Sequence, residues 1–277
     1  MTADLEKLYS PRATVHDWQQ IIERWHKRSA EVRKSAQAWL DVPYGTSAAE
    51  TLDIFPAEGR SRGLLMFIHG GYWRALDKSD HSFIAPAFTR AGLTVAIPNY
   101  ALCPAVTVED IVRQMLQAAA WLYRNGGNFG APLQRLCVAG HSAGGHLTAM
   151  TLAAQWPVFA GDLPRKIVRA GICMSGLYDL APLVKVSFNA DVRLTPASAR
   201  KLSPALMPPA TDAPLYTAVA AEENEGFHIQ QKIIGKAWAS VHKKSITVPG
   251  AHHFSILERF IDPASELHRA TLQAAEV

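Results

Sequence analysis

Residues 135–150 read RLCVAGHSAGGHLTAM, and the change of character halfway along decides the fold. The first part is a short apolar run without polar alternation, as a strand buried on both faces requires. The last part, continuing to Trp156, is helix-like. Between them Gly140-His141-Ser142-Ala143-Gly144 fits G-x-S-x-G. The two glycines permit a sharp strand-to-helix turn that lifts the Ser142 hydroxyl clear of a sheet, and Ala143 at the next position offers its backbone N–H to an oxyanion. The competing reading is a serine that merely caps the helix. A strand before, a helix after and alternating units on both sides favour a nucleophile.

Working outward, short apolar runs alternate with amphipathic ones from residue 63 onward, the pattern of an α/β protein with a mostly parallel sheet covered by helices on both faces. The expected strands are 64–69, 94–98, 135–140, 170–175, 214–220 and 245–249. Thr107, with Asp110 three residues later, opens a helix carrying Ile111, Met115, Ala118 and Leu122 on one face, and Asn125-Gly126-Gly127 is expected to stop it. Upstream, AWLDVPYG and ETLDIFPA read as two antiparallel strands added at the sheet edge. Residues 1–40 read as a helical segment, and 181–210, with five prolines, as an irregular cap inserted between strands. The whole of 1–277 is expected to form one domain, without internal repeats.

A second glycine-rich turn follows the strand GLLMFI: His69-Gly70-Gly71, then Tyr72 and Trp73. A loop without side chains lets backbone N–H groups approach a reacting oxygen, so Gly70 and Gly71 are candidates for the other half of an oxyanion hole, against the reading of a plain tight turn. A serine nucleophile needs a base, and the base an orienting acid, both later in the chain. His252 and His253 lie just beyond the last strand, and Glu222, Glu223 and Glu225 follow the strand PLYTAVA. Spacing alone does not choose among them. His69, His141 and His146 lack metal-ligand spacing such as H-E-x-x-H, so no metal site and no cofactor are expected.

Composition excludes several classes. With 48% hydrophobic and 19% charged residues the chain is neither disordered nor fibrous, and a net charge of +4 from scattered lysines and arginines gives no nucleic-acid footprint. The pair Lys243-Lys244 reads as a solvated face. No apolar run approaches the roughly 18 to 20 residues of a membrane span, and no signal peptide is visible, so a soluble cytoplasmic protein with no membrane partner is expected. Three cysteines make no paired framework; Cys103, Cys137 and Cys173 read as structural.

The segments HGGYWRALDKSDHSFIA, NYALCPAVTVEDIV, GHSAGGHL and PGAHHFSILE together resemble the arylformamidase (kynurenine formamidase) branch of the α/β-hydrolases, relatives of the hormone-sensitive-lipase-like esterases. The likeness spans almost the whole chain, from YSPRATV to the cap, and HGGYW with NYALCPAVT is its more specific part. The resemblance implies an α/β-hydrolase fold with Ser142 as nucleophile and His253, immediately before Phe254, as base. It places the acid four residues before a phenylalanine, here Phe227, which selects Glu223 with Glu222 as the alternative; many relatives carry aspartate there.

The implied reaction is removal of a formyl group from an aromatic amide, N-formylkynurenine being the family's best-known substrate. Tyr72 and Trp73 would then narrow a small acyl pocket or bind substrate, or else pack the loop on the core. The alternatives are a short-acyl carboxylesterase or hydrolase of another small amide, and a non-catalytic binding protein on the same fold. The implied partner is a small aromatic amide or ester, and a homodimer is compatible with the sequence.

Overall fold

A computed structural model describes residues 2–132 and 135–276. Its described strands form one eight-stranded sheet: β1 (Trp39–Pro43), β2 (Thr51–Phe55), β3 (Gly63–Ile68), β4 (Leu93–Pro98), β5 (Leu136–His141), β6 (Val168–Met174), β7 (Leu215–Ala220) and β8 (His242–Val248). The spatial order is β1-β2-β4-β3-β5-β6-β7-β8. β1 pairs antiparallel with β2 and β2 with β4, while every pairing from β4 through β8 is parallel.

The apolar runs lack polar alternation because both faces are covered. Along β3, Leu64, Met66 and Ile68 join one core while Leu65 and Phe67 join the other. β5 divides in the same way, Leu136 and Val138 against Cys137 and Ala139. Burying both side-chain sets is what a central parallel strand does.

The helix Val108–Asn125 opens with the expected capping box, Thr107 and Asp110 each accepting from the other's backbone N–H. Its end differs from the sequence reading. Gly126 is still helical, the chain continues as a 3-10 turn over Gly126–Phe129, and the left-handed residue is Gly130 at φ 75°. Two consecutive glycines therefore continue the turn, and the break falls where φ must become positive.

The N-terminal segment is helical over Thr2–Tyr9, Pro11–Thr14 and Trp18–Ser35. Residues 181–210 lie between β6 and β7 as expected but are not irregular: they form short helical turns at Ala181–Lys185, Asn189–Val192, Pro196–Lys201 and Pro204–Leu206. Three of these carry proline at their first or second position, where it lacks only an N–H that a helix start would leave unbonded. β8 begins three residues earlier than expected because its first half, with Lys243 and Lys244, is exposed and shows no apolar signal. Among the described residues no helix is long and apolar enough to cross a membrane.

Register brings the loops together. Ile68 pairs with Gly140, setting the His69-Gly70-Gly71 loop beside the serine turn. Past the strand ends, Ser142 N–H donates to Met174 O at 2.8 Å, Ser175 N–H to Ala218 O at 2.8 Å, and Glu222 N–H to Ala251 O at 2.9 Å. The loops after β3, β5, β6, β7 and β8 thus gather at one edge, the carboxyl ends of the strands where open α/β sheets bind ligands.

Candidate active site

Ser142 sits between β5 and the helix Ala143–Ala153 with φ 57° and ψ −119°, a conformation side-chain-bearing residues rarely adopt. Its neighbours make the turn sterically feasible. A Cβ on Gly144 would lie 2.0 Å from Ile68 O, and one on Gly70 would lie 2.9 Å from His141 O and 3.1 Å from Ser142 Cβ. Only hydrogen at those positions lets the serine turn and the loop after β3 touch.

Ala143 is the first residue of its helix, so its N–H has no intrahelical acceptor. Across from it, the loop after β3 carries positive φ at Gly71, Tyr72, Trp73 and Leu76. The Tyr100 hydroxyl holds this strained loop, donating to both His69 O and Gly70 O at 3.0 Å, with its ring stacked 4.2 Å from that of His69. Cys103 N–H donates to Trp73 O at 2.8 Å. These bonds fix the loop after β3 beside the serine turn.

His253 lies on the loop after β8, and its Nδ1 bonds Glu223 Oε1. The second oxygen of Glu223 accepts from Ala220 N–H and from the Ser175 hydroxyl, each at 2.9 Å. The Glu223 side chain is fully buried, whereas Glu222 and Glu225 are exposed. A carboxylate held at both oxygens and bonded to Nδ1 leaves Nε2 of the imidazole as the atom that can exchange a proton. Phe227 packs on the His253 ring at 4.5 Å between centroids, which gives that phenylalanine a physical role beside the acid. His252 instead caps its turn, Nδ1 accepting from Phe254 and Ser255 N–H at 3.3 Å.

Ser142, His253 and Gly71 line one pocket together with Tyr72, Phe188 and Arg74. The room inside it for water-sized groups is about 80 Å³, a narrow cleft beside the serine. Burial first, and then the charge of Glu223, holds the Tyr72 hydroxyl well above its ordinary pKa, and that hydroxyl donates to Tyr9 O. Trp73 does not line the pocket. It is fully buried in the core, perpendicular to His146 at 5.1 Å, so the expectation that it shapes the acyl side gives way to packing of the loop.

Two groups escaped the sequence reading. His141, read there only as a histidine without metal spacing, donates from Nε2 to His253 O at 2.7 Å; the residue before the serine thereby fixes the backbone of the histidine. Burial holds the His141 imidazole well below its ordinary pKa, so it stays neutral. Ser175, which follows β6, carries no motif at all. Among the described residues no cluster of histidine, cysteine or carboxylate groups could hold a metal ion.

The profile of the α/β hydrolase fold family matches residues 65–239. A kynurenine formamidase of Salmo salar is 27% identical, covering 94% of this chain and 91% of its own length. Another, of Drosophila melanogaster, is 31% identical over 79% of this chain and 76% of its own. A solved structure from Silicibacter sp. that carries a thioesterase description superposes with a TM-score of 0.84 at 32% identity, covering 94% of this chain and 95% of that one. The sheet order, the serine turn and these likenesses lead to one assignment: the chain is a hydrolase that belongs to the α/β-hydrolase fold family, in the branch that holds the kynurenine formamidases.

Proposed function

We propose that the chain is a serine hydrolase that cleaves the formyl group from an aromatic formamide of the N-formylkynurenine type. The observation that carries the mechanism is that His253, bonded to Glu223, lines the same pocket as Ser142. Its likeness to kynurenine formamidases over almost its full length supports the substrate class. Residues 1–277 act as one domain, with the N-terminal helices and the 181–210 segment walling the pocket.

Ser142 Oγ attacks the formyl carbon while His253 Nε2 takes the hydroxyl proton, and the charge that grows on the carbonyl oxygen is received by the N–H groups of Gly71 and Ala143, with Gly70 shaping the loop. Glu223 stabilises the imidazolium without itself taking the proton. As the C–N bond breaks, His253 gives its proton to the departing arylamine. Water then enters, loses a proton to His253 and attacks the formyl-serine; formate leaves and the serine recovers its proton. The half-buried Tyr72 ring beside Gly71 supplies bulk next to the acyl site.

A second reading, hydrolysis of a short-acyl ester or thioester, is supported by the likeness to the Silicibacter structure. The deciding measurement is kcat/KM for N-formylkynurenine beside that for p-nitrophenyl acetate and butyrate. The formamidase reading expects the formamide to be the best of the three. An enzyme that leaves it untouched and prefers butyrate would overturn that reading in favour of the esterase.

A further inference from the structure

Two cations converge on the mouth of the catalytic pocket. Arg12, exposed on the short helix Pro11–Thr14, and Arg74, next to Trp73, both line it, and no aspartate or glutamate does. Arg74 is paired with Asp191 of the 181–210 segment. Among the described residues no carboxylate is paired with Arg12, whose guanidinium lies 4.3 Å from the Trp18 ring centroid. A guanidinium stacked on an aromatic face keeps its in-plane N–H edge for a planar acceptor. Partial desolvation of its guanidinium, and after it the charge of Arg74, lowers the affinity of Arg12 for its proton. The two guanidinium groups thus lie within electrostatic reach of each other at this pocket.

We propose that Arg12 and Arg74 form a subsite for a carboxylate carried on the leaving-group side of the substrate, so that the enzyme selects carboxylate-bearing aryl amides over those that lack the group. The identity of the scissile bond rests on the formamidase reading; the charge preference rests on the pocket alone. A carboxylate of a departing arylamine would be gripped by Arg12 in bidentate fashion and would relieve the repulsion between the two arginines. Phe188 and Tyr72, whose packed rings lie 4.0 Å apart, form an apolar wall of the same pocket.

The test is the ratio of kcat/KM for N-formylkynurenine to that for 2-formamidoacetophenone, which keeps the aryl formamide and lacks the amino-acid end. Arg12→Gln should lower this ratio by about tenfold to a hundredfold, the range for a charge-assisted hydrogen bond. Arg12→Lys should retain part of the preference and Arg12→Glu should lower it at least as far as Arg12→Gln. Arg74→Gln combined with Asp191→Asn, which removes both charges of that pair, should lower the ratio by a smaller factor. If the enzyme cleaves only esters, the same ratio is read from 4-carboxyphenyl acetate against phenyl acetate, so failure of the formamidase reading is seen separately. A ratio unchanged in both Arg12→Gln and the double variant overturns the subsite.

Discussion

The serine end of the pocket and its mouth are built in different ways. At the serine end, Ser142 and His253 are almost inaccessible and the Glu223 side chain is fully buried, and the three follow β5, β8 and β7, parallel strands of one sheet. At the mouth, side-chain contacts tie down the N-terminal helices and add to the backbone bonds of the 181–210 segment. Tyr72 donates to Tyr9 O, Asn224 to Lys7 O at 2.6 Å, and Arg74 pairs with Asp191. The proposed reacting groups thus stand on the sheet, while the groups proposed to meet the rest of the substrate stand on segments outside it. Substitutions at the two ends should separate turnover from selectivity.

The largest effect should come from the serine end. Ser142→Ala should lower kcat by about 10⁶-fold while circular dichroism and unfolding midpoint stay near wild type, since triad members act as a unit. A Ser142→Ala protein with wild-type kcat would remove the nucleophile from this pocket. Glu223→Gln should cost about 10⁴-fold, the scale for losing the orienting acid. The exposed Glu222→Gln should change kcat less than threefold, and the opposite ranking would move the acid.

Trp73→Ala sharpens the comparison from another side, because it removes a buried ring of the scaffold and no pocket wall. It should lower the urea-unfolding free energy by about 3 to 5 kcal/mol. The preference between formyl and butyryl aryl esters should stay within twofold; a relaxed preference would put the ring back at the acyl site.

The smallest effect is a pH slope belonging to the scaffold. Burial lowers the imidazole of His81 to about 3 and that of His146 to about 4, both below the ordinary 6.5. In an unfolded chain both groups take up protons as pH falls through 6.5 while the folded protein stays neutral there, so stability is full above about 6.5 and declines between 6.5 and 4. Each contributes a slope of up to about 1.4 kcal/mol per pH unit. His146→Gln should flatten the decline measured by urea unfolding at pH 7, 6 and 5; an unchanged slope would contradict a neutral buried imidazole.

Legibility in the sequence follows how local each cause is. The strand cores and the Thr107 capping box show because burial on two faces and an i, i+3 hydrogen-bond pair leave marks within a few residues. The serine turn shows because its glycines answer a steric demand made by neighbouring backbone. The early start of β8 is silent, since an exposed edge half needs no apolar side chains. His141 and Ser175 are silent for a different reason: each acts across strands, on His253 and Glu223, through bonds that the topology alone brings into reach. Arg12 looks like any surface arginine until Tyr72, 60 residues further on, fixes its segment at the pocket mouth.

The positive φ of Ser142 also limits what this scaffold can become. A branched β-carbon there would press a methyl group into a backbone conformation already disfavoured for any side chain, so threonine is shut out of the nucleophile's position. Cysteine has serine's shape and passes the same filter. Descendants of this chain can therefore exchange oxygen for sulfur at the reacting atom, but a new substrate range has to be sought among the residues that line the way in.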